Sequence, residues 1–146
     1  MILKPGGQGI EAITFLPDSR HPDGGTFYVS NQGFHLDDRE DPSAILELAV
    51  PLRSGCDGDN IATITRWFSL GVIDLSGLHY DEMSDLLYVV SDAMNVIFEI
   101  TREGRIIQSY VLPGDNQEGI AVDTEGFLYI AQDSGGIIKG KWNKRR

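Results

Sequence analysis

One phrase, written three times, limits what this chain can become. Its clearest copy reads Gln117-Glu118-Gly119-Ile120-Ala121-Val122-Asp123, a turn at Thr124-Glu125-Gly126, then Phe127-Leu128-Tyr129-Ile130-Ala131-Gln132-Asp133. Two short alternating runs around a Gly-containing turn are the signature of a β-hairpin. The second copy is Ser76-Gly77-Leu78-His79-Tyr80-Asp81 with Leu86-Leu87-Tyr88-Val89-Val90-Ser91-Asp92. The first is Glu11-Ala12-Ile13-Thr14-Phe15 with Thr26-Phe27-Tyr28-Val29-Ser30-Asn31. A recurring hairpin marks a repeat protein, in which like units stack and bury one another.

The second unit defines the repeat. Alternation predicts strands over residues 77–81, 86–91, 96–101 and 105–112, separated by tight polar turns. Four antiparallel strands in about 42 residues is the size of a propeller blade. In the first unit strands are expected over residues 10–15, 26–30, 44–50 and 61–70, with acidic loops at residues 31–43 and 51–60. The third supplies residues 119–123, 127–131 and 136–142 and then stops one strand short. Apolar residues on both faces of residues 86–90 and 106–112 suit blades covered on both sides.

The chain is therefore expected to be all-β, a single partial propeller over residues 1–146. Its blades would span about residues 10–70, 76–113 and 118–142, half of a six-bladed ring. A sandwich of hairpins is the alternative, and recurrence of the hairpin with its turn favours the propeller. Three blades fall short of the roughly four to eight that close a ring. Self-association into a closed six-bladed ring, or a place within a longer chain, is the expected remedy. Residues 1–4 of a partner chain are the candidate outer strand for the third blade.

Composition narrows the partners. Against 22 acidic residues stand 12 basic ones, a formal charge of −10. Nucleic acid is excluded as the main partner, since phosphate binding needs concentrated Lys and Arg. The basic cluster of Lys139, Lys141, Lys144, Arg145 and Arg146 reads as a frayed tail. No run is long enough to cross a bilayer, and Cys56, the single cysteine, leaves no internal disulfide.

The phrases around Glu118-Gly119-Ile120 and Ser76-Gly77-Leu78, each followed by Leu-Tyr-[Val/Ile], resemble the SdiA-regulated family of bacterial β-propellers. That family is similar in turn to phytase-like and NHL-type propellers. The resemblance spans nearly the whole chain. It implies a six-bladed ring in an extracytoplasmic or membrane-associated protein, with Ca²⁺ a ligand of some related propellers. The chain departs from the family in its length, about half a ring, and in insertions around Asp37–Asp41 and residues 55–60.

Glu11, Ser76 and Glu118 share one place in the three repeats, just before the innermost strand. Gln32, Asp92 and Asp133 each follow the repeated tyrosine by four residues. Two rings of acids and amides about one axis could bind Ca²⁺, a hard cation that takes several oxygen ligands. Glu11, Glu118, Asp92 and Asp133 are the candidate metal ligands. The plainer reading has these acids accepting backbone N–H bonds in turns. The leading expectation is a non-enzymatic binding or scaffold module. The alternative is a calcium-dependent hydrolase of the phosphoesterase or lactonase type. His21, His35 and His79 have no zinc spacing. Ser76 lacks a nucleophile-elbow context, and residues 57–60 resemble only half a calcium loop. Trp67 and Trp142 are expected in blade-to-blade packing.

Overall fold

The structure is a computed structural model and describes residues 9–53 and 61–142. The expectations placed on residues 1–4, Cys56, residues 57–60 and Lys144 to Arg146 lie outside the described residues. Among the described residues eleven strands follow one another, and each lies where alternation and turn residues predict it. They are β1 (Ile10–Pro17), β2 (Gly25–Asn31), β3 (Ala44–Ala49) and β4 (Thr63–Phe68) in the first sheet. The second sheet holds β5 (Leu75–Asp81), β6 (Leu86–Ser91), β7 (Val96–Ile100) and β8 (Ile106–Val111). The third holds β9 (Gln117–Val122), β10 (Phe127–Gln132) and β11 (Ile137–Lys141).

Every sheet is an antiparallel meander whose spatial order is its sequence order. The first strands stack in series: β5 packs against β1 on one side and β9 on the other. This is the arrangement of propeller blades about an axis, with β1, β5 and β9 innermost. Closure into a complete ring lies beyond the described residues. Among them, no helix is long and apolar enough to cross a membrane.

Strand alternation sends one set of side chains forward, toward the next sheet, and the other set back. From the first sheet, Leu16, Tyr28 and Ile45 point forward. They meet Leu78, Leu87, Val89, Phe98 and Ile100 on the rear of the second sheet. Tyr88, Val90 and Ile97 point forward from the second sheet onto Leu128, Ile130, Ile120 and Val122 of the third. Trp142 lies in this second seam, edge-on to Tyr88 at 5.6 Å and to Tyr110 at 4.6 Å. Its expected packing role is what the structure shows. Trp67 differs, being half exposed on the rear of the first sheet beside Leu46.

Two expectations are corrected. Ile106, Ile107 and Val111 are exposed rather than covered on both faces. Among the described residues β8 is the outermost strand of its sheet and has no neighbour beyond it. Lys139 and Lys141 belong to β11 and not to a frayed tail. Lys139 lies 4.2 Å from the Phe127 ring and 5.1 Å from Tyr129, and Lys141 lies 4.3 Å from Phe127. Ammonium groups over ring faces are favourable contacts.

Candidate functional site

The site is built by one backbone device used three times. Just ahead of each innermost strand stands a residue with positive φ: Gly9 at 88°, Asp74 at 59° and Asn116 at 52°. Gly takes this conformation freely, and Asp and Asn tolerate it best among the other residues. The carbonyl so turned accepts the N–H of the residue just after the second strand. These bonds are Gln32 to Gly9 at 2.8 Å, Asp92 to Asp74 at 3.1 Å and Asp133 to Asn116 at 2.8 Å.

One step further in, each innermost strand carries a β-bulge. Pairing skips from Ile10 to Ala12, from Leu75 to Gly77 and from Gln117 to Gly119. The skipped residues are Glu11, Ser76 and Glu118. A bulge leaves one residue out of the ladder and re-aims its side chain. The repeats therefore align as the sequence implies, with one correction: these residues lie inside the strand, at the bulge, rather than just before it.

The three equivalent positions have different fates. Ser76 is buried and donates its hydroxyl to the Gln117 carbonyl at 2.6 Å, stitching the second sheet to the third. Glu118 remains partly open. Burial raises its pKa, and the carboxylates of Asp133, Asp92, Asp74 and Glu11 raise it further. Four acids thus lie within electrostatic reach of a fifth. All four residues expected as ligands belong to this group. Asp74 was not among them, because no acid occupies its position in the other two repeats.

The rim residues also latch neighbouring sheets together. Gln32 donates through Nε2 to Asp74 Oδ1 at 2.5 Å, and Asp74 Oδ2 accepts the Ala93 N–H at 3.1 Å. Asp92 Oδ1 accepts the N–H of Gln117 at 2.7 Å. The plainer reading is thus right about the kind of bond at Asp92 and wrong about its partner, which belongs to the next sheet rather than to the local turn. A local cap is found instead at Asp123, which accepts the N–H groups of Glu125 and Phe127 and the Tyr129 hydroxyl. The Phe127 bond, the largest influence, helps hold the Asp123 carboxyl below its usual range.

Ca²⁺ takes about six to eight oxygens, and carboxylates of the right hardness are present. Among the described residues, however, no three His, Cys, Asp or Glu side chains gather closely enough to hold a metal ion. One Asp92 oxygen is already engaged by Gln117. The donor chemistry fits calcium, but the described residues form no closed ligand set. The histidines lie elsewhere. His79 stacks on Tyr88 at 6.2 Å toward the other end of β5, and His21 Nδ1 accepts the Asp23 N–H.

Comparison with known proteins adds the following. A search of curated proteins gives no match. Among solved structures, the chain is similar to a catalytically inactive virginiamycin B lyase from Staphylococcus aureus crystallised with quinupristin. That likeness has 18% identity and a TM-score of 0.48, and covers 98% of this chain and 45% of that one. A selenomethionine-substituted virginiamycin B lyase from the same organism matches at 17% identity and a TM-score of 0.40, over 94% of this chain and 42% of that one. The chain spans less than half the length of these solved chains. Its own sequence matches the SdiA-regulated family over residues 23–134, from ahead of the second strand of the first hairpin to just past the rim aspartate of the third. The protein belongs to the SdiA-regulated family.

Proposed function

We propose that the acidic mouth formed by the three bulges is a working site of hydrolytic type, acting on a phosphoester or a lactone, with Glu118 as its proton-carrying group. The observation that carries this reading is the raised pKa of Glu118, produced by partial burial and by Asp133, Asp92, Asp74 and Glu11. A carboxyl that keeps its proton nearer to neutral pH can hand it to a leaving oxygen. Perturbed acids also concentrate at functional sites more than elsewhere. If Ca²⁺ binds here, Glu11, Asp92 and Asp133 would hold it and leave Glu118 to carry the proton, whereas Glu118 completes the ligand set only in a site that does not use its proton; the cation would polarise a phosphoryl or carbonyl oxygen.

The test is turnover of phosphomonoester, phosphodiester and lactone substrates by the purified chain, with and without added Ca²⁺. Glu118→Gln should lower the rate about 10²-fold and remove the alkaline limb of the pH profile. Absence of turnover under all these conditions sinks the enzymatic reading.

A second reading is a non-enzymatic module that captures a cation at the same mouth. The crowding of like charges around Glu118 favours it, because a bound cation relieves that repulsion. Calorimetric Ca²⁺ binding that Glu118→Gln weakens, in a chain without turnover, would select it. An extracytoplasmic or membrane-associated setting is proposed on family grounds. Secretion tracking of the tagged full-length gene product tests it.

A further inference from the structure

The two seams between sheets use the same pair of backbone positions differently. Ser43 and Asn95 each stand one residue ahead of the third strand of their sheets. Leu75 and Gln117 each open the innermost strand of the sheet that follows, paired with Ser91 and Gln132. Both are 0% exposed. The first seam thus accepts an apolar side chain where the second buries an amide, and the repeat itself does not demand that amide.

Its bonding is incomplete. Gln117 Nε2 donates to the Pro113 carbonyl at 3.2 Å, but Gln117 Oε1 is buried and accepts no hydrogen bond among the described residues. Asn95 Oδ1 is buried and unpaired in the same way. A closed circuit of bonds draws these two amides to one place. The Gln117 N–H reaches Asp92 Oδ1 at 2.7 Å, and the Asp92 carbonyl accepts the Asn95 N–H at 2.9 Å. The Asn95 carbonyl accepts the Leu112 N–H at 2.8 Å, and Leu112 leads into Pro113, whose carbonyl returns the circuit to Gln117.

Native chains rarely leave a buried amide oxygen unsatisfied, because its lost hydration is not repaid. Two such acceptors on one circuit call for a species that serves both, either a water that donates twice or a cation. Charge separates the two. Asp74, Asp92, Glu118 and Asp133 crowd the adjoining mouth, and among the described residues no ion pair reaches any of them. The atoms offered by the circuit are amide, carbonyl and carboxylate oxygens, which suit a hard cation and give a transition metal no nitrogen or sulfur.

We propose that Asn95 Oδ1 and Gln117 Oε1, with the Asp92 oxygen not bound to Gln117, form a Ca²⁺ seat inside the second seam. Waters complete a coordination of about six to eight oxygens. The ion ties the turn between β6 and β7 to the start of β9 and sets positive charge behind Glu118. This seat shares only Asp92 with the mouth, and it stands whether or not the mouth turns over a substrate.

Calorimetric titration of the purified chain with CaCl₂ tests this, with circular dichroism to verify β content. Binding is expected. Gln117→Leu, which copies Leu75, should weaken it about tenfold or more. Asn95→Gly, which suits the φ of 50° at that position, should do the same. Glu118→Gln should change the affinity far less. Ca²⁺ should also raise the thermal midpoint of the parent and leave that of Gln117→Leu where it was. Binding abolished by Glu118→Gln and untouched by Gln117→Leu would put the ion at the mouth and overturn the proposal. Absence of Ca²⁺ binding to the folded parent would assign the two oxygens to ordered water and overturn it equally.

Discussion

Glu118 and Asp123 lie five residues apart in the same innermost strand and its turn, and acid should act on them in opposite directions. The pKa of Glu118 is raised, first by burial and then by Asp133, Asp92, Asp74 and Glu11. Between the ordinary glutamate value and that raised value, the folded chain holds a proton the unfolded chain has released. Stability from this group therefore falls as pH rises through the window. Glu118→Gln should be at least as stable as the parent near pH 7, the two converging below the ordinary carboxylate range. Urea midpoints at the two ends of that range test it. Asp123 is depressed, chiefly by the Phe127 N–H, so its contribution is complete above the unfolded carboxyl value and lost as pH falls through the folded one. Asp123→Ala should lower the neutral-pH midpoint, and the deficit should vanish in strong acid. Glu11, Glu118, Asp92 and Asp133 could be placed from sequence because the repeats align them. Asp74 could not, because Gly9, Asp74 and Asn116 share a left-handed backbone and no side-chain type.

Strands carry the next level, and all eleven could be predicted because period-two alternation stops at turns rich in Gly, Asp and Asn. What alternation does not show is which strand has a neighbour. Ile97 and Ile106 look equivalent in a sequence pattern, yet Ile97 is buried between sheets and Ile106 faces outward at an edge. Ile97→Ala should therefore cost about 2–5 kcal/mol in a urea titration, and Ile106→Ala a small fraction of that. Equal losses at the two positions would contradict the seam between the second and third sheets. A polar network occupies the outer part of the first seam. Arg66 binds the Tyr28 hydroxyl and lies 3.0 Å from Glu47, and Tyr28 is pushed up to about 12, foremost by burial. Tyr28 and Glu47 are cross-strand partners, as are Tyr88 and Glu99, whereas Tyr129 faces Lys139. That change of sign marks the third sheet as the different one.

For the molecule as a whole, the forward face of the third sheet, where Ile137 is 69% exposed, is open to a partner, and self-association there would make stability a property of concentration. A chain that folds into a dimer gains stability by mass action, so its thermal midpoint should climb as protein is added. Scanning calorimetry over a hundredfold concentration range measures this, and a constant midpoint would mean that no second copy is bound. The number of hairpins could be counted from sequence, but the number of blades in a closed ring could not. Ring closure depends on the angle between successive sheets, which no run of residues spells out. Each sheet is a simple meander in sequence order, and none borrows a strand from another among the described residues. A genome can therefore lengthen or shorten such a chain by one whole blade without rethreading the backbone.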